Sequence, residues 1–152
     1  MAPSAGNSKQ IVSVLEDLIQ ICNDGAHGYK TAAEDVDNLE YKTLFNAYSQ
    51  QRTQFSAELE REANLLGRDP DAGESLLGTL HRGWINIKSA FTSGGTAAIL
   101  DECQRGDKAA LETYEKALQN ALPVNVESIV RRQYSAIQEA YNKVSTFKTM
   151  HA

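Results

Sequence analysis

Proline is scarce in this chain. Only Pro3, Pro70 and Pro123 occur among 152 residues. None falls inside a strongly periodic segment, so nothing breaks long helices where a residue without an N–H would do so. Cysteine is nearly absent too. Cys22 and Cys103 do not make a disulfide framework, and a reducing cytoplasm is the expected compartment. No apolar run approaches the roughly 20 residues that a membrane-spanning helix needs, so no membrane is expected. Residues 1–8 lack a basic region followed by an apolar core, so no signal peptide is read there. A surplus of positive charge is missing as well: the formal net charge is −5, which favours solubility and speaks against a nucleic-acid partner. Period-two alternation is nowhere long enough for a strand, and no internal repeat is visible.

What remains is helical periodicity. Residues 1–8 read as a disordered tail, with Asn7 or Ser8 placed to cap a first helix, and 9–150 as a single helical-bundle domain. From Lys9, the positions Ile11, Leu15, Leu18, Cys22, Ala26, Tyr29, Ala33 and Val36 recur at intervals of three and four, which puts them on one helical face. Gly25 and Gly28 weaken that helix and either admit a close neighbour or mark a kink. Asp37 or Asn38 caps a second helix over 39–66, whose expected inward face is Leu44, Tyr48, Gln51, Phe55, Leu59, Glu62 and Leu66. Gly67 follows as its left-handed stop.

Turn chemistry at Asp69-Pro70-Asp71 and Gly73 leads into a shorter expected helix over 74–92, with an apolar stripe of Leu77, Leu80, Trp84, Ile87 and Phe91. Ser93-Gly94-Gly95 breaks it. A fourth helix is expected over 97–120, with Ile99, Leu100, Cys103, Ala110, Leu111, Tyr114 and Leu118 inward and a possible bend at Gly106. After Pro123 a last face runs through Val126, Val130, Gln133, Ile137, Ala140, Tyr141, Val144 and Phe147. The four long helices are each roughly 36–42 Å at 1.5 Å per residue. The fold expected is all-α: a four-helix bundle with an additional helix in the long crossover between the second and third bundle helices. Such a crossover makes those two helices parallel, as in ferritin-like bundles.

Several segments carry a family resemblance: Asp24-Gly25-x-x-Gly28-Tyr29-x-x-Ala32-Ala33-Glu34-Asp35, Gln51-Arg52-x-x-Phe55-x-x-Glu58-Leu59, and Leu80-His81-Arg82-Gly83-Trp84-Ile85-x-Ile87-Lys88. Glu102-Cys103-x-x-Gly106-Asp107 and Tyr114-Glu115-x-Ala117-Leu118 complete the set. With these motifs the chain resembles a bacterial family of uncharacterised four-helix-bundle proteins placed in the ferritin-like superfamily. The resemblance implies the fold and leaves the activity open.

Di-iron bundles draw a Glu from each of two helices and a Glu-x-x-His from each of the other two. No Glu-x-x-His occurs here. Asp24-x-x-His27 imitates the spacing on the first helix, where the superfamily supplies only a carboxylate. Aligned with the motif, Arg52 and Phe55 stand where Glu and His belong, and neither side chain donates a lone pair to a metal. The reading is a core without metal or other cofactor. An atypical carboxylate site is the alternative, with Asp24, His27, Glu58, Glu62, Glu102 and Asp107 as its candidate ligands. Against it, acids at helix edges usually pair with Lys or Arg in water.

Cys22 and Cys103 fall on apolar faces and read as buried, inert thiols. Trp84, in His81-Arg82-Gly83-Trp84, reads as packing over the bundle; the alternative is an anion- or partner-binding edge formed with Lys88. Asp24, Gln51, Gln133 and Tyr114 are expected to share a polar network that fixes register rather than performs chemistry. No catalytic residue set emerges. The expectation is a non-enzymatic structural or interaction protein with a homo-oligomeric or unknown protein partner. The alternative is a metal-binding oxidoreductase or storage protein.

Overall fold

A computed structural model describes residues 5–69, Trp84 and 87–150. Four helices account for nearly all of them: α1 Ala5–Asp35, α2 Leu39–Leu65, α3 Ile87–Ala117 and α4 Val124–Met150. The described residues contain no strand. Ala5 is already helical, so α1 takes in part of the tail expected over 1–8.

The ends of the helices follow local chemistry. The Asn38 side chain accepts the Tyr41 N–H at 3.0 Å and so caps α2. At the other end Gly67 adopts φ 102°. The Arg68 N–H returns to the Ala63 carbonyl at 3.0 Å and the Gly67 N–H to that of Asn64 at 3.1 Å, a Schellman stop. Lys42 donates its ammonium to the Ala33 carbonyl at 2.5 Å, serving an acceptor that the last turn of α1 leaves open. Pro123 stands just before α4 and accepts the Glu127 N–H at 2.8 Å.

α3 carries the break expected at Ser93-Gly94-Gly95. Gly95, at φ 66° and ψ −149°, interrupts it, in a region of backbone space held almost only by glycine. The helix expected over 74–92 falls mostly outside the described residues. Of its described residues, Trp84 lies in non-helical backbone and 87–92 are helical. Trp84 is therefore not part of one continuous helical stripe.

Every neighbouring pair of helices is antiparallel. Ser49 bonds back to Ala26 and Lys42 to Ala33 between α1 and α2. Tyr29 meets Asp107 and Cys22 meets Tyr114 between α1 and α3. Tyr114 meets Gln133 and Lys148 meets Asp101 between α3 and α4. Tyr41 stacks on Phe147 while Asn125 reaches Glu62 between α2 and α4. α2 and α3 both run antiparallel to α1 and are therefore parallel to each other, as a long crossover requires.

The core has two apolar halves. One holds Leu15, Leu18, Leu59, Ala110 and Ile137; the other holds Phe45, Trp84, Leu100, Val144 and Phe147. Each fully buried aliphatic side chain contributes about 1.5–3 kcal/mol. Inward faces expected for α1, α3 and α4 hold almost throughout, with Ala26, Leu118 and Tyr141 only half-buried. For α2 the face is turned: Tyr41, Phe45, Arg52, Phe55, Ser56, Leu59 and Ala63 are buried, whereas Leu44, Tyr48, Gln51, Glu62 and Leu66 are half-buried. An arginine occupies the inward stripe, and a reading that keeps charge outside rotates the helix away from it.

Candidate functional site at the middle of the bundle

Between the two apolar halves lies a polar layer. Arg52 enters it from α2 and Asp107 from α3. Its Nη1 donates to Asp107 Oδ1 at 2.7 Å and its Nη2 to Oδ2 at 3.3 Å, a two-pronged pairing that suits the planar guanidinium. The side chains are 1% and 0% exposed. Tyr29 on α1 donates its hydroxyl to Asp107 Oδ2 at 2.5 Å, and Arg52 Nε donates to Gln51 Oε1 at 3.1 Å. The guanidinium carbon also stands 5.3 Å from the centre of the Tyr29 ring, within cation–π range.

Space for the guanidinium comes from α1. A Cβ on Gly25 would lie 3.1 Å from Arg52 Nη1. Burial works to lower the Arg52 pKa, but the Asp107 carboxylate overrides it and the net shift is upward. Burial, then the Asp107 charge, pushes the Tyr29 hydroxyl well above its usual value. Tyr29 therefore remains a proton donor to the carboxylate at neutral pH.

A second chain of bonds links the surface to Cys22. Arg132 pairs with Glu58, and Gln133 donates to Glu58 Oε1 at 2.9 Å and to the Phe55 carbonyl at 3.3 Å. Tyr114 donates to Gln133 Oε1 at 2.7 Å. Since that bond uses the only Tyr114 proton, the Cys22 thiol donates across the 3.0 Å contact to the Tyr114 oxygen. Burial pushes this thiol up to about 11. Burial likewise raises Cys103. Both cysteines are free and lack the lowered pKa of a reactive thiol.

Beside the charged layer sits Trp84, 4% exposed. A Cβ on either Gly28 or Gly106 would come within 2.2 Å of its ring. Glycine on α1 and glycine on α3 thus form a slot for the indole, whose ring lies edge-on to Tyr29 at 4.9 Å between centroids. Neither α1 nor α3 breaks at Gly25, Gly28 or Gly106. The close-neighbour reading of Gly25 and Gly28 holds, and α3 continues through Gly106 with helical backbone angles.

The six acidic and histidine candidates are scattered. Asp24 is buried on α1 and accepts from Gln20 Nε2 at 3.0 Å. His27 is exposed on the same helix. Glu58 belongs to the Arg132–Gln133 chain, Glu62 accepts from Asn125 at 2.8 Å, and Glu102 pairs with Arg105 one turn along its own helix. Asp107 lies in the central layer and there holds Arg52. Among the described residues no three His, Cys, Asp or Glu side chains are grouped to hold a metal ion. The residues present do not fit a two-metal centre, because a guanidinium already supplies the cation that the central carboxylate faces. His81, Arg82 and Gly83 lie outside the described residues.

Of the polar network expected from sequence, Tyr114 and Gln133 are joined, while Gln51 joins Arg52 and Asp24 joins Gln20. The reading missed Arg52 as a buried cation. Its signal was present: Arg52 falls in step with Phe45, Phe55 and Leu59 at helical spacing. No described helix is long and apolar enough to cross a membrane.

No curated protein matches the chain. A family model described as "Domain of unknown function (DUF2383)" matches residues 10–120, a span that includes Tyr29, Arg52, Trp84 and Asp107. Because that match takes in well over half of the 152 residues and the whole of the charged layer, the chain belongs to the DUF2383 family.

Proposed function

We propose that this protein is a non-enzymatic structural or interaction protein: a ferritin-like bundle of bacterial type, working in the cytoplasm, in which an internal ion pair replaces the metal centre. The observation that carries this reading is the buried Arg52–Asp107 pair. A guanidinium cannot ligate a cation, and its bonds occupy both oxygens of the Asp107 carboxylate at the middle of the bundle. Antiparallel neighbours with α2 parallel to α3 support the ferritin-like comparison. Raised pKa values at Cys22, Cys103, Tyr29 and Tyr114 support a core built for packing and register, since none of these groups is prepared to give up a proton near neutral pH.

Elemental analysis of protein produced with added iron and manganese tests the reading. The expected result is no stoichiometric transition metal. Stoichiometric iron or manganese that disappears in Glu58→Ala or Glu102→Ala would overturn it in favour of the metal-binding alternative.

A further inference from the structure

The outward face of α2 is unlike that of α3. Of the seven exposed residues on α3 whose surroundings are described, six are charged; of the twelve exposed residues on α2, only Glu40 and Arg61 are. Two of the largest exposed apolar side chains in the molecule, Leu39 and Leu65, each 75% exposed, stand at the two ends of this face. Solvated helix surfaces normally carry charge, so a long ridge with Arg61 as its one charged residue and leucines at both ends needs a partner surface to explain it.

The order of residues along the ridge says which partner. Gln50 and Gln54 lie two residues to either side of position 52, and Ala47 and Ala57 lie five to either side. Thr43 and Arg61 follow at nine, then Leu39 and Leu65 at thirteen. All eight are exposed, and spacings of three and four keep them on one stripe. The ridge therefore reads nearly the same in both directions over roughly 39 Å. A surface of this kind matches itself when turned by a two-fold axis, which is the requirement for an isologous dimer contact.

We infer that the outward face of α2 is a homodimer interface, in which α2 packs antiparallel against α2 of a second copy about a two-fold axis near position 52. In that register Leu39 meets Leu65 of the second copy, Ala47 meets Ala57 and Gln50 meets Gln54. The alanines let the helices come close at two points, since side-chain size at the contact sets the interaxial distance. The two charges are complementary as well. Glu40 is one turn from Thr43, the residue opposite Arg61 of the second copy, so the antiparallel pairing brings acid to base at both ends, while a parallel pairing would set like charges together. This deepens the interaction reading by naming the partner, and it does not depend on whether metal binds.

Sedimentation equilibrium of the full chain tests it, with circular dichroism on each variant to confirm helix content. The wild type is expected to form a dimer that dissociates on dilution in roughly the micromolar range, as a single helix pair is a small interface. Gln50→Glu with Gln54→Glu opposes like charges and should weaken the dimer about tenfold or more. Gln50→Glu with Gln54→Lys restores opposite charges in the same register and should keep it. Ala47→Cys with Ala57→Cys should give a covalent dimer on oxidation, whereas Lys108→Glu on the outward face of α3 should change nothing. A wild type that stays monomeric, a dimer indifferent to the two glutamine pairs, or the absence of the cross-link overturns the proposal. A monomer without metal would remove the dimer and leave the non-enzymatic reading in place.

Discussion

Removing the Asp107 carboxylate while Arg52 stays in place strands a guanidinium whose side chain is 1% exposed. Breaking one side of a buried ion pair typically costs about 3–5 kcal/mol, because the remaining charge stays buried without its partner. Asp107→Ala should therefore lower the unfolding free energy by about that amount in urea titrations. The triple change Arg52→Met, Asp107→Leu and Tyr29→Phe removes both charges and the hydroxyl together, and should recover most of the loss. If the triple variant is no more stable than Asp107→Ala, the penalty does not come from the unpaired charge. This pair was only half legible in the sequence. Arg52 and Asp107 both stand in the motifs that carry the family resemblance, and Arg52 was readable as the residue that displaces a ligand. Their contact was not readable, since 55 residues separate them and only the order of helices around the bundle brings them together.

At the scale of elements, Trp84 enters between α1 and α3 against Gly28 and Gly106. Alanine normally improves a helix over glycine by about 1 kcal/mol. At Gly28 and Gly106 the added Cβ would come 2.2 Å from the indole, so the ring or a helix has to move. Overpacking of this kind typically costs about 1–3 kcal/mol. Gly28→Ala should therefore be destabilising in the native sequence, with a red shift in the emission of Trp84, the only tryptophan. In a Trp84→Ala background the same change should become stabilising, as the obstruction is gone. An unchanged sign in the two backgrounds, read from urea titrations, would count against the slot. The helix ends at Asn38, Gly67 and Pro123 were legible from local signals, because capping and stopping depend on a few adjacent residues. The purpose of Gly106 needed tertiary structure. A glycine that makes room for a distant side chain looks in sequence like a glycine that bends a helix, whereas the break expected at Ser93-Gly94-Gly95 rests on adjacent residues and is found at Gly95.

For the molecule as a whole, the composition of the core sets the response to pH. Cys22, Cys103, Tyr29 and Tyr114 are all held in a fully enclosed interior, and burial raises the pKa of each. For Cys22 the rise is from 9.0 to about 11. Between those values the unfolded chain has released the thiol proton and the folded chain has kept it. Stability then falls as pH increases, because the unfolded state binds fewer protons. The contribution is fully present below pH 9 and is lost by the time pH passes about 11; a shift of two units corresponds to about 2.7 kcal/mol. Tyr29 and Tyr114 add to the decline from their ordinary value of 10.0 upward. Urea titrations from neutral pH to about 11 should show the unfolding free energy dropping from near pH 9 onward. In Cys22→Ser with Cys103→Ser, where only the tyrosines remain, the onset should move toward pH 10. Stability that holds flat across this window would mean that these groups meet water in the folded state, and the enclosed polar layer would not be the register device that its bonds describe.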